Sequence, residues 1–248
     1  MPTDEFTPRK VEIHHDHRNV SGGWLRPMVF GGMDGLVSNA ALMAGVAGGG
    51  ADRPAIILTG LAGVAAGAFS MAVGEYVSVK SQAESALAEI EAERIELRDR
   101  PEAELQELIE SYIARGVSRP LATEFATAIS ADPEQALAIH TRDEIGIDPY
   151  TLPSAWVASF ASFVSFALGA FVPLLPYLAS SAGSASGPVS TLALSQIFAV
   201  IALFICGAAV SRVTTRSWWY SGLRQALIGI AAGVITFYLG HLVGAGLR

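Results

Sequence analysis

The stretch "FGGMDGLVSNAALMAG", residues 30–45, resembles the start of a membrane-spanning helix that contains a single charge, Asp34. No Lys or Arg occurs between Arg26 and Arg53 to neutralise this carboxylate. An isolated charge in hydrocarbon is costly, so such a residue usually faces a cavity, a partner or an ion path. Asp34 is therefore the first candidate for a functional residue.

The composition extends this interpretation to the whole chain. The chain has 248 residues, of which 51% are hydrophobic and 16% are charged, whereas a soluble domain has about 25% charged residues. Apolar stretches of about the length that spans a bilayer recur along the chain. They predict an all-α membrane protein with five transmembrane helices, at 28–49, 54–79, 155–179, 190–211 and 223–246.

Several classes of function are disfavoured. The net charge of −7 argues against nucleic acid as a partner. The single cysteine, Cys206, cannot form an intramolecular disulfide. No Gly-x-Ser-x-Gly elbow accompanies the membrane serines, so we expect no enzyme and no prosthetic group. Residues 1–26 are polar and do not resemble a secretory signal.

The apolar stretches divide the chain into four parts. We expect an N-terminal tail (1–27), transmembrane helices one and two (28–79), an acidic helical metal-binding domain (80–150) and helices three to five (151–248). Fourteen of the sixteen Lys and Arg residues lie in the tail, in the acidic insert and in the 212–224 connection. This bias predicts a multi-pass protein whose N-terminus and insert are cytoplasmic and whose C-terminus is outside.

Helix start and stop signals subdivide the insert. The second span continues without a breaker to Pro101, which predicts one long helix leaving the membrane. A second helix runs from Pro101 to Gly116, Ser118 is a candidate N-cap for a third, and a fourth runs from the Asp132 cap to Gly146. The sequence therefore predicts a small helical bundle on a helical stalk.

Asp34 has candidate partners in the second span. It lies about 9 Å below the predicted cytoplasmic boundary and Met71 about 12 Å below it, at 1.5 Å per residue. Glu75 lies one turn nearer the cytoplasm, and Ser38 and Asn39 continue a polar stripe beyond Asp34. An oxygen and sulfur ligand set suits a borderline transition metal better than Mg²⁺ or Ca²⁺.

Acidic pairs in the insert form a second candidate site. Carboxylates three residues apart share one helix face, where they repel unless a cation lies between them. A glutamate near the end of the insert, beside a histidine, could close this site. The metal-ligand candidates are Glu93, Glu96, Glu104, Glu107, Glu144 and His140. The alternative is that these residues form a solvated charged face with local arginine pairs. The segment "HHDH" at 14–17 is likewise either a metal site or a solvated polar stretch.

These motifs together resemble the vacuolar iron transporter family over essentially the whole chain. The resemblance rests on "GGMDGLVSNAALMAGVAG", on "SMAVGEYVSVKSQAE", on the Glu-rich helices and on "FVPLLPY". It implies a homodimer whose ion path lies between the first helices. It also implies proton-coupled export of Fe²⁺ from the cytoplasm, with Mn²⁺, Zn²⁺ and Co²⁺ as further candidate substrates.

The resemblance also assigns residues. Asp34 and Met71 match the family's metal path, and the five insert glutamates match its cytoplasmic metal-binding domain. Where eukaryotic members tend to carry two methionines, this chain has His140 and Thr141; His140 can still ligate a metal. The tail and the lack of a targeting sequence suggest a prokaryotic member in a cell membrane.

Two alternatives remain open at this stage. In the first, the protein is an exporter of the same family that selects manganese instead of iron. The other is a membrane-anchored metal sensor or buffer, in which the spans only hold the insert. A pure anchor would not need Asp34 inside its first span.

Overall fold

The structure is a computed structural model that describes residues 23–180, 188–213 and 216–246. The "HHDH" segment at 14–17 lies outside these residues. Within the described ranges the regular elements are helical and none is a strand. The α-helices are α1 Leu25–Gly48, α2 Arg53–Asp99, α3 Pro101–Ala114, α4 Arg119–Ser130, α5 Pro133–His140, α6 Ala155–Phe171, α7 Leu175–Ala179, α8 Pro188–Val210 and α9 Trp218–Gly246.

Five helical segments are long and apolar enough to cross a membrane: Leu25–Gly48, Arg53–Asp99, Ala155–Ala179, Thr191–Val210 and Trp218–Gly246. The first has 24 residues, a length of roughly 36 Å, which exceeds the roughly 30 Å of a bilayer core. The all-α membrane fold with five spans is therefore confirmed. The side of the membrane on which each end lies stays a prediction.

Helix α2 continues far beyond its membrane segment. Its N-terminus is capped by Asp52, whose side chain accepts a hydrogen bond from the Ala55 backbone N–H at 3.0 Å. Its 47 residues span roughly 70 Å, more than twice the bilayer core, and the helix ends just before Pro101. Because no breaker interrupts it, α2 physically connects the membrane bundle to the insert.

Helix α1 lies inside the bundle, packed against α2, α6, α8 and α9. Small residues allow the close approach that membrane helices use in the absence of a hydrophobic driving force. A Cβ at Gly35 would collide with the Phe166 carbonyl and lie 2.8 Å from the Ala170 nitrogen of α6. Position 35 therefore needs glycine for contact between the two helix backbones.

The third span is broken at its prolines. Helix α6 gives way to a 3-10 turn at Val172–Leu174 before α7 begins. Side chains from three other helices donate hydrogen bonds to the carbonyls around this break. The Asn39 amide of α1 donates to Ala170 O at 2.6 Å, and the Ser195 hydroxyl of α8 donates to Pro173 O at 2.6 Å. Arg53 Nη2 of α2 donates to Tyr177 O at 2.6 Å. These bonds give partners to backbone carbonyls at the break. Unpaired carbonyl groups would be costly in the hydrocarbon of the bilayer.

The insert helices close on their own apolar core of Leu108, Ile109, Ala122, Ala126, Ile129 and Ala136. Asp132 caps α5 as predicted, accepting from the Glu134 backbone N–H at 3.1 Å. Ser118 occupies the predicted N-cap position of α4, but its side chain makes no capping hydrogen bond. This core holds α3, α4 and α5 against the free end of α2, where the acidic side chains converge.

Candidate metal centre and membrane cleft

Four side chains of the insert converge on one point. Glu93, Glu104, His140 and Glu144 each offer one ligand atom, and these atoms lie within 4.8 Å of one another. They come from α2, α3, α5 and the π-helical turn Thr141–Ile145. We call these four residues the insert cluster. Its formation depends on the packing of separate helices.

The histidine is at the centre of the insert cluster. His140 Nδ1 lies 2.8 Å from Glu144 Oε1, 3.2 Å from Glu93 Oε1 and 3.7 Å from Glu104 Oε2. His140 is fully buried, and Glu93 and Glu104 are each 6% exposed. One imidazole nitrogen and three carboxylate oxygens form a ligand set that suits Mn²⁺, Fe²⁺ or Zn²⁺.

The carboxylates of the insert cluster lie close enough together to repel one another. Burial, followed by the negative charges of Glu144 and Glu104, raises the pKa of Glu93 to about 7, although His140 acts in the opposite direction. Burial, followed by the charge of Glu107, also raises the pKa of Glu104. Nearby arginines have other partners: Arg94 bonds Glu134 at 2.6 Å and Arg115 bonds Asp143 at 2.6 Å.

Two buried polar atoms of the cluster, Glu93 Oε1 and His140 Nε2, have no hydrogen-bond partner among the residues that the structure describes. Glu93 Oε1 is close to His140 Nδ1, yet the two atoms are not aligned for a hydrogen bond, while His140 Nδ1 does bond Glu144. Unsatisfied buried polar atoms are rare and need an explanation. A cation among the carboxylates would satisfy Glu93 and neutralise the repulsion.

The π-helical turn fixes the last ligand. It follows α5 directly and ends at Gly146, which has a φ of +73°. The turn places Glu144 four residues after His140 with their side chains in contact. Thr141 is fully buried and donates its hydroxyl proton to Leu137 O at 2.8 Å. Thr141 is therefore engaged in its own helix and is not a member of the cluster.

Two predicted ligands lie outside the insert cluster. Glu96 and Glu107 are exposed, although each is three residues from a cluster member. A step of three residues moves a side chain about 60° round the helix and about 4.5 Å along it. In this packing that displacement is enough to take Glu96 and Glu107 from the buried centre to the solvent-exposed edge of the same face. Their charges still raise the pKa values of the cluster, Glu96 acting on Glu93 and Glu107 on Glu104.

The membrane part of the chain contains a second constellation. A cavity of about 330 Å³ lies between α1, α2 and Phe166 of α6, and we call it the membrane cleft. The four predicted path residues that line it are Asp34, Ser38, Asn39 and Met71. The structure thus brings the carboxylate of the first span and the thioether of the second to one cavity.

The fifth predicted path residue, Glu75, is half-buried and is not among the residues that line the cleft. It lies one turn closer to the insert on α2. Sequence reasoning missed Gly63, Gly67 and Ser70, which also line the cleft. Their spacing relative to Met71 places them along the same face of α2. That spacing is the feature of the sequence that could have identified them.

The cleft offers hydrogen-bond acceptors. The Ser38 hydroxyl donates to the Asp34 backbone carbonyl at 2.6 Å, so its remaining lone pairs are acceptors only. The Asn39 amide nitrogen is bonded to Ala170 O, whereas the buried Asn39 Oδ1 has no partner within residues 23–180, 188–213 and 216–246. A carboxylate, a hydroxyl oxygen, an amide oxygen and a thioether form a set that a cation would satisfy.

Known proteins resemble the chain along most of its length. It is 30% identical to the vacuolar iron transporter 1 of Eucalyptus grandis over 248 residues, covering 98% of this chain and 95% of that protein. It is 29% identical to the vacuolar iron transporter 1 of Arabidopsis thaliana over 235 residues, covering 93% and 90%.

A vacuolar iron transporter of Acanthamoeba castellanii is 41% identical over 150 residues. This match covers 58% of the present chain and 54% of the amoebal protein, so the chain matches about half the length of that relative. The names of these relatives support metal-ion transport and fit the prediction that the chain is not an enzyme. The prokaryotic origin stays a prediction.

The family-level comparison agrees with the full-length relatives. The model of the VIT family matches residues 25–241, from the start of α1 into the last helix. The match includes both the membrane cleft and the insert cluster. The chain therefore belongs to the VIT family.

Proposed function

We propose that the protein carries divalent transition-metal ions, with Fe²⁺ as the main substrate, out of the cytoplasm in exchange for protons. One observation carries this proposal. The continuous helix α2 contributes Met71 to the membrane cleft and Glu93 to the insert cluster. A protein that first collects metal ions and then moves them across the membrane needs one metal site outside the bilayer and one within it. A single continuous helix contributes a residue to each of these two candidate sites.

In this proposal the insert cluster takes up metal at the cytoplasmic face, and the membrane cleft accepts it. Asp34 in its protonated form loses a proton as its carboxylate binds the cation. Met71, Ser38 and Asn39 replace part of the hydration shell, and Glu75 lies at the approach to the cleft. Rebinding of a proton to Asp34 from the far side releases the metal.

The proposal includes a homodimer through α1. Phe30, Asp34, Ser38 and Leu42 recur every four residues and so share one face of α1. Phe30 is 60% and Leu42 is 42% exposed, so the neighbouring helices of the same chain leave this face largely uncovered. A second copy packed there would enclose the cleft between the two subunits.

The test is flux of metal into proteoliposomes that contain a metal-sensitive dye, with a pH gradient imposed. Wild type, Asp34→Asn and Glu93→Gln/Glu104→Gln are compared for Fe²⁺, Mn²⁺ and Zn²⁺. Glu124→Gln is the control, because it removes an exposed carboxylate of the insert outside the cluster. We expect gradient-dependent uptake that Asp34→Asn abolishes and Glu124→Gln leaves unchanged. Uptake that is independent of both the gradient and Asp34 would contradict the exchange mechanism.

A membrane-anchored metal sensor or buffer is the second candidate. The insert cluster favours it in one respect, since all four ligands lie within the insert and none comes from the membrane cleft. Metal binding without flux in the wild type would identify this function. A manganese-selective transporter is distinguished by the same metal series, in which Mn²⁺ would exceed Fe²⁺.

A further inference from the structure

The carboxamide of Asn39 is held in one orientation. Asn39 is 1% exposed, and its Nδ2 donates to the Ala170 carbonyl of α6 at 2.6 Å. Exchanging the amide nitrogen and oxygen would place Oδ1 against Ala170 O, and two acceptors cannot bond one another. The hydrogen bond therefore fixes Oδ1 on the opposite side of the carboxamide, toward α2.

Oδ1 lies against Gly63 of α2, at the wall of the membrane cleft. A Cβ at position 63 would collide with this oxygen and would lie 3.0 Å from a methyl carbon of Leu42. The absence of a side chain on Gly63 is thus what makes room for the Asn39 oxygen. No protein group in the described part of the chain bonds this buried atom, although buried acceptors are normally paired.

We propose that Asn39 is a specificity-determining residue of the cleft, whose amide oxygen binds the transported cation while its amide nitrogen supports the break in α6. This inference rests on the proposed transport function and deepens it. An amide oxygen carries no proton at any working pH, so it contributes a fixed ligand beside the titratable Asp34. It also adds an oxygen ligand to a site that contains the Met71 sulfur. The added oxygen favours Mn²⁺ and Fe²⁺ over softer ions.

The test compares apparent KM values for Mn²⁺ and Zn²⁺ in proteoliposomes, because these values do not depend on how much of a variant folds. Asn39→Ala removes the oxygen ligand. We expect it to raise the apparent KM for Mn²⁺ by about three- to tenfold, and that for Zn²⁺ by less. Asn39→Asp keeps an oxygen facing α2 but loses the N–H that bonds Ala170 O, so we expect its apparent KM for Mn²⁺ to stay below that of Asn39→Ala.

Ser195→Ala is the matched control. It removes another buried side-chain hydrogen bond at the same helix break, the bond to Pro173 O at 2.6 Å, and Ser195 does not line the cleft. We expect it to leave both KM values unchanged. Equal KM values in Asn39→Ala and wild type, or the same shift in Asn39→Ala and Ser195→Ala, would overturn the inference. Flux that is absent already in the wild type would instead refute the transport function itself.

Discussion

At the scale of single residues, the raised pKa of Glu93 determines how the metal-free insert responds to pH. The pKa of Glu93 in the folded protein, about 7, lies above the ordinary glutamate value of 4.5. The folded insert therefore holds a proton that the unfolded chain releases, and this stabilises it at low pH. The contribution is fully present below about pH 4.5 and is lost as pH rises through 7.

The corresponding prediction concerns Glu93→Gln, which removes the ionisable group but keeps its shape. Without metal at pH 8, we expect the variant insert to be more stable than wild type by on the order of 2 kcal/mol. At pH 5 the difference should shrink to about a quarter of that value. Hydrogen exchange of the α5 amides in the full-length protein, with chelator present, measures this. Glu124→Gln is the control, and a difference of equal size at both pH values would contradict the assigned cause.

Metal binding by the insert should depend on pH for the same reason. A cation must displace the proton that Glu93 holds, so we expect the apparent affinity for Mn²⁺ to rise by up to about tenfold per pH unit below 7 and to level off above it. Titration calorimetry at pH 6, 7 and 8 in two buffers gives both the affinity and the proton release. Affinity that does not change with pH would show that Glu93 is not a ligand.

At the scale of secondary-structure elements, the contact between α1 and α6 depends on the absence of side chains. Gly35 faces the α6 backbone at Phe166 and Ala170, whereas an added Cβ at Gly74 of α2 would meet nothing within 4 Å. Both glycines lie inside helices, so alanine would favour helix formation at either position. At position 35, however, the neighbouring α6 backbone leaves no room for an alanine side chain.

We therefore expect Gly35→Ala to destabilise the bundle by about 1–3 kcal/mol, seen as a lower thermal midpoint in detergent. Gly74→Ala should leave the midpoint unchanged or raise it slightly. Midpoints that fall equally in the two variants would mean that the tight contact at Gly35 does not limit the packing of α1 on α6.

At the scale of the whole molecule, α2 separates collection from translocation. If the insert cluster only supplies metal to the cleft, then Glu93→Gln/Glu104→Gln should raise the apparent KM for transport by about tenfold with little change in maximal rate. Asp34→Asn should abolish the maximal rate. Initial rates over a range of metal concentrations distinguish the two effects. A double variant that lowers the maximal rate at saturating metal would instead assign the insert a part in translocation itself.

Local patterns determined much of the architecture. The five spans, the uninterrupted α2 and the Asp132 cap could be predicted, because apolar length, the absence of breakers and capping chemistry act over a few neighbouring residues. The carboxylate of Asp34 could be singled out for the same reason, since its apolar neighbours are next to it in sequence. The meeting of Asp34 and Met71 at one cavity follows from their similar depth on adjacent antiparallel helices.

Only the tertiary structure decided which candidates meet. It placed Glu93, Glu104, His140 and Glu144 within one group and left Glu96 and Glu107 exposed, because helix packing sets the distance between side chains on different elements. It also revealed the fixed Asn39 oxygen, which requires Ala170 and Gly63 from two other helices. Sequence alone thus determined the helices and their candidate ligands, and through-space packing determined the sites, since a ligand set is defined by distances that no local pattern contains.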